Sequence, residues 1–260
     1  MTSTPRDPWH GLSTRTPARI AIGRAGGSLP TREVLEFSMA HARARDAVHA
    51  AFDRDGLAER LASLGLDTIA VDSQATDRAI YLRRPDLGRR LSAMSRSELS
   101  TGIAQAKPDL TIVVGDGLSA AAVNSGAFEL IEAFLPHVAE LKIDIGPIVL
   151  ASGARVALGD EIGALTGSEL VAVIIGERPG LSAADNLSVY LTYEPAVGRN
   201  DAERNCISNI GDDRLSPVAA AANLAWLINA ARDRKLTGVA LKDESDALLA
   251  VETDDGGRLA

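Results

Sequence analysis

The 260 residues are 46% hydrophobic but only 3% aromatic, and the net charge is −8. A chain this long can bury a substantial core, which Ala, Leu, Val and Ile must fill; that favours helices packed closely on a sheet over a ring-rich sandwich. The acidic balance, without a long Lys/Arg run among aromatics, excludes nucleic acid as a partner, and the lone Cys206 excludes a disulfide framework and a Cys-based zinc site, pointing to a reducing, cytoplasmic setting.

Residues 1–30 carry Pro5, Pro8, Pro17, Pro30 and the pair Gly26-Gly27, and read as an extended N-terminal arm lying on another surface. The first residues lack an apolar signal core, and no run approaches the ~20 apolar residues of a membrane span. No membrane attachment is therefore expected. Thr31 follows Pro30, with Glu33 and Glu36 in the first turn, and Val34, Phe37, His41, Ala44, Val48 and Phe52 recur at helical spacing. That pattern predicts an amphipathic helix over 31–54, followed by a shorter one around Leu57–Leu64. His41 and His49 lie ~12 Å apart by helical rise and cannot share a metal. His10 and His137 are isolated, so no metal site is expected. The stretch 76–92 holds Arg78, Arg83, Arg84, Arg89 and Arg90, readable as a solvated face, as ion pairs or as a contact surface for an anionic partner. Residues 31–100 as a whole read as a helical region.

From about residue 108 strands and helices alternate. Asp109–Val114, Pro147–Ala151 and Leu170–Ile175 read as short buried strands, and Asn186–Tyr193 as a fourth. Helices are expected over Leu118–Leu141, 158–167 and Pro217–Arg234, the last closing around Trp226. The expected fold class is α/β, with a Rossmann-like parallel sheet flanked by helices over 101–240, preceded by the arm and the helical region. Residues 241–260 are acidic and read as a flexible tail.

Ligands in open parallel sheets bind at the carboxyl ends of the strands. Three loops qualify. Gly115-Asp116-Gly117-Leu118-Ser119-Ala120 fits a loose dinucleotide pattern, but no acid closes the next strand, and Asp116 would repel a pyrophosphate. Ser152-Gly153-Ala154-Arg155-Val156 offers close backbone approach and an apolar surface at Val156. Gly176-Glu177-Arg178-Pro179-Gly180 places charge directly at a buried strand's exit, where Glu177 can accept hydrogen bonds and Arg178 can donate them. Cys206 has no histidine near it in sequence, so covalent catalysis is not expected. No catalytic residue is assigned.

The strings IGRAGG (22–27), YLRRPDLGRRL (81–91), VVGDGLSAAAV (113–123), IGERPGL (175–181), NCISNI (205–210) and PVAAAANL (217–224) occur in an order and spacing that closely resembles the small subunit of ethanolamine ammonia-lyase, over roughly residues 18–240. The resemblance implies a lyase subunit that works with a separate large subunit, converting ethanolamine to acetaldehyde and ammonia by the radical chemistry of adenosylcobalamin. It places Val156, Glu177 and Cys206 at the family's cobalamin-contacting positions. The Asp-x-His-x-x-Gly motif of proteins that replace cobalamin's lower base is absent, so a base-on cofactor is implied. Two other readings stay open: a standalone NAD-type oxidoreductase, and a non-catalytic adaptor of a bacterial microcompartment. The resemblance is compatible with a cytoplasmic protein, free or encapsulated.

Overall fold

Six strands make one sheet: β1 (Thr68–Asp72), β2 (Leu110–Gly115), β3 (Ile148–Ser152), β4 (Leu170–Gly176), β5 (Leu187–Tyr193) and β6 (Asn205–Ile210), in the order β1-β3-β2-β4-β5-β6. The computed structural model describes residues 7–16, 18–102, 107–211 and 214–244. Around the sheet lie α1 (Thr31–His49), α2 (Arg54–Ser63), α3 (Arg78–Arg83), α4 (Ala93–Gly102), α5 (Ala120–Leu141), α6 (Leu158–Thr166) and α7 (Pro217–Arg234). One face carries α2, α5 and α7 over the larger apolar cluster, including Leu61, Leu130, Phe134, Leu224 and Ile228. The other carries α4 and α6 over a smaller cluster of Leu99, Leu158, Ile162, Val113, Val149 and Val173. Among the described residues no helix is long and apolar enough to cross a membrane.

Local sequence explains the well-defined ends. Ser119 and Ser216 accept hydrogen bonds from Ala122 and Ala219 at the starts of α5 and α7, and Pro217 opens α7 where its missing N–H costs nothing. α1 stops at His49 rather than at the expected residue 54, because Ala50 turns extended and Asp53 becomes the cap of α2, its carboxylate accepting from Gly56 N–H at 3.0 Å.

The sheet corrects the expectation of a purely parallel, Rossmann-like arrangement. β1, β3, β2 and β4 are parallel, whereas β5 and β6 are antiparallel to their neighbours, so the sheet is mixed. A parallel return needs a crossover of a dozen or more residues, usually a helix. Residues 177–186 supply ten residues without one, and the chain turns straight back. Two strands lie where none was expected: β1 within the segment read as helical, and β6 on the NCISNI string. Both are edge strands. From residue 245 the stretch read as an acidic tail lies outside the described residues.

Candidate functional site

The absence of a helix between β4 and β5 has a direct effect on the surface. α6 is nine residues long, about 13.5 Å of rise, and covers the middle of β4, where Gly159 abuts Val173 and Gly163 abuts Pro195 and Val171. No second helix follows on that side, and on the same face Cys206 of β6 is exposed and Tyr190 half-buried, while Ser188 and Thr192 are buried. Alternation then decides what lines it. Leu187, Val189 and Leu191 point into the larger cluster, so Ser188, Tyr190 and Thr192 point to the α6 side.

Each of these three residues meets a partner. Thr192 Oγ1 accepts from Arg204, whose guanidinium is buried with Asp160 of α6 in a forked ion pair, Nη2 to Oδ2 at 2.7 Å. Tyr190 is register partner to Cys206 and hydrogen-bonds with its thiol. Ser188 donates its hydroxyl to Oε1 of Glu177, at the exit of β4. From the covered end outward the face therefore runs from the buried ion pair, through Tyr190 and Cys206, to Ser188 and Glu177. Cys206 is exposed as a residue. Burial against its neighbours nevertheless pushes its thiol up, the Tyr190 hydrogen bond opposes this, and the Glu177 carboxylate adds to the rise. Burial likewise raises the Tyr190 hydroxyl, with Cys206 next in effect. Both groups are held protonated at neutral pH.

Val156 lies in the loop from β3 into α6, half-buried against the margin of the smaller cluster, on which Tyr190 also packs. Its loop is braced from several sides. Ala154 N–H donates to Asp116 Oδ1 at 2.9 Å, Ala154 C=O accepts from the Tyr81 hydroxyl at 3.0 Å, and Arg155 N–H donates to Gly88 C=O at 2.8 Å. Arg155 and Arg78 also stack on the Tyr81 ring, at 4.3 and 4.8 Å from its centroid. The β2 and β4 loops are joined by Leu118 N–H to Gly176 C=O at 2.9 Å. Gly117, at φ +55°, allows this approach, since a side chain there would strike the Gly176 carbonyl.

A cavity of about 730 Å³ opens at the carboxyl ends of β1, β3 and β2, where the crossover connections diverge and where such folds commonly take a ligand. Among its charged groups Arg54 pairs with Asp72 at 2.9 Å, and Arg78 donates to Val48 C=O at 2.6 Å and Gly117 C=O at 2.7 Å, while its buried Nη2 has no hydrogen-bond partner among the described residues. Burial raises the Asp116 carboxyl, against the opposing pull of Ala154 N–H and Arg78. Asp116 is thus a strut for the Val156 loop rather than a ligand for a nucleotide.

The sequence profile of the ethanolamine ammonia-lyase light chain matches residues 6–242. The chain belongs to that family. It is 54% identical to the ethanolamine ammonia-lyase small subunit of Bradyrhizobium diazoefficiens, over 94% of this chain and 93% of that protein. It is 53% identical to the small subunit of Rhodopseudomonas palustris, over 90% and 89%. Against that of Xanthomonas campestris pv. campestris the identity is 49%, over 97% and 94%. Neither the NAD-type oxidoreductase nor the adaptor reading finds support in these relatives.

Glu177 and Cys206, 29 residues apart in sequence, are brought together across β5, while Val156 borders the smaller apolar cluster, as Tyr190 does. Arg178, the other candidate of its loop, is exposed. The arginine-rich stretch divides its work: Arg78 ties α1 to the β2 loop, Arg90 pairs with buried Glu161 at 2.9 Å, and Arg84 forks onto Asp86 on the surface. Sequence reasoning missed Ser188 and Tyr190. The signal was present in the polar–apolar alternation of LSVYLTY, which marks one face as exposed to something other than core.

Proposed function

We propose that this chain is the non-catalytic small subunit of an adenosylcobalamin-dependent ethanolamine ammonia-lyase, and that the α6-side face of β5 and β6 contributes to one wall of its cobalamin site. What supports this reading is that Glu177 and Cys206 lie together around Ser188 and Tyr190 on the α6 side of β5, with Val156 in the loop into α6 bordering the cluster on that side. The donor set fits the group. A corrin ring is rimmed with amide side chains, which need acceptors, around an apolar body. Glu177 presents a carboxylate with one oxygen held by Ser188 and the other left with acceptor capacity, while Val156 offers apolar contact and the protonated Cys206 a small, soft one. Adenosylcobalamin, when bound, supplies the radical chemistry that converts ethanolamine to acetaldehyde and ammonia. This chain's residues hold and orient it, shield one side from water, and keep their own thiol and phenol protonated.

The reading also requires a second polypeptide, because the face is a wall and not an enclosed pocket. Eight of the thirteen strongly exposed large hydrophobics among the described residues lie between Trp9 and Met39, Phe37 and Leu35 among them. That apolar band on the arm and α1 suits a protein surface that is covered in an assembly. A large subunit is the partner in this reading, in the cytoplasm or inside a bacterial microcompartment. The decisive experiment is co-expression with a large subunit of the same enzyme family, followed by addition of adenosylcobalamin and ethanolamine. Co-purification of the two chains and acetaldehyde formation by the pair, but by neither chain alone, is expected. Failure of the chains to associate would overturn the proposal.

A further inference from the structure

We propose that Ser188 is a positioning residue that sets the Glu177 carboxylate for ligand binding, an inference that rests on the reading of Glu177 as a cofactor contact. Ser188 is fully buried on β5, and its register partner Ile175 stands two residues before Glu177. Its hydroxyl donates to Glu177 Oε1. The strand pairing does not need that bond. Glu177 N–H already donates to Asn186 C=O at 2.9 Å, and β4 and β5 remain in register from Leu170–Tyr193 to Gly176–Leu187. What the hydroxyl adds is a hold on the Glu177 side chain at the rim of the sheet, next to the Cys206 thiol, which it also reaches.

An ionised carboxylate only accepts hydrogen bonds, and it has room for several. With Oε1 engaged, the side chain is held against β5 while Oε2 keeps its capacity for an amide N–H of the incoming ligand. Freezing a glutamate at the moment of binding costs roughly a three- to tenfold loss of affinity, which a side chain ordered in advance avoids. The neighbour on the same face behaves consistently: Cys206 is kept as a neutral thiol, so no second negative charge pushes Glu177 out of place.

The test is a double-mutant cycle in the co-expressed two-chain complex, reading the dissociation constant of adenosylcobalamin by its visible absorbance on titration, not turnover. Ser188→Ala is expected to weaken binding about three- to tenfold beside native Glu177, and by less than about twofold in the Glu177→Ala background. Ser188→Cys fills the same space with a weak donor and is expected to follow the same pattern should the alanine variant fail to assemble. Equal losses in both backgrounds would mark a general structural role and overturn the proposal. So would unaltered binding in Ser188→Ala when Glu177→Ala binds weakly. If Glu177→Ala itself binds as tightly as the native complex, the contact falls first and the positioning role with it, whereas co-purification of the two chains is untouched by that result.

Discussion

At Cys206 burial and three neighbours act on one thiol in opposing directions. Burial raises it, the Tyr190 hydrogen bond lowers it, the charge of Glu177 raises it, and the Ser188 hydroxyl lowers it. Since the thiolate is the nucleophile, alkylation of the cofactor-free protein by iodoacetamide reads this balance directly. Glu177→Gln removes a raising influence and is expected to speed the reaction at fixed pH. Tyr190→Phe removes a lowering one and is expected to slow it. A Glu177→Gln variant that reacts no faster would mean that the two side chains do not share a face. Such proximity could not be read from the chain alone. Val156, Glu177 and Cys206 were reached through resemblance to a family, because residues joined across an intervening strand leave no local pattern. Ser188 and Tyr190 were legible in principle, since period-two alternation does mark a face. The identity of their partners depended on a register that only the folded sheet supplies.

Between elements, the Arg204–Asp160 pair fastens the start of β6 to the first turn of α6, with both side chains 1% exposed. Burial pushes the Asp160 carboxyl up, and the guanidinium opposes that rise. Arg204→Met would leave a buried carboxylate unpaired, at a cost of about 3–5 kcal/mol, measured as a lowered urea midpoint. Replacing both partners, Arg204→Met with Asp160→Leu, is expected to recover more than half of that loss. An equally unstable double variant would mean that the pair stabilises through something other than its charges. The elements most readily predicted were those buried on both sides. β2, β3 and β4 appear as apolar runs because both their faces are packed, and α5 and α7 carry long helical patterns with serine caps. β1 and β6 escaped notice because edge strands bury little: TIAVD has one fully buried residue, and NCISNI has two.

For the molecule as a whole, the placement of β1 matters most. The strand is contributed by the first third of the chain, yet it lies outside β3, separated from β2 by that strand. Its five residues pair in register from Thr68–Ile148 to Asp72–Ser152, and so cap the peptide groups of the entirely apolar run IVLA. A cut at the boundary near residue 100 that the sequence suggests would remove this strand from the sheet. A polypeptide shortened to begin at residue 101 would carry a raw, greasy β-edge, the kind of template along which copies of a chain zip together. Size-exclusion chromatography of that fragment should find aggregates where the full-length chain elutes as a defined species. A well-behaved, folded monomer would mean that the first strand is an ornament. As built, the amino-terminal third serves as the selvedge of the cloth, and proteolysis there would unravel the weave from its side.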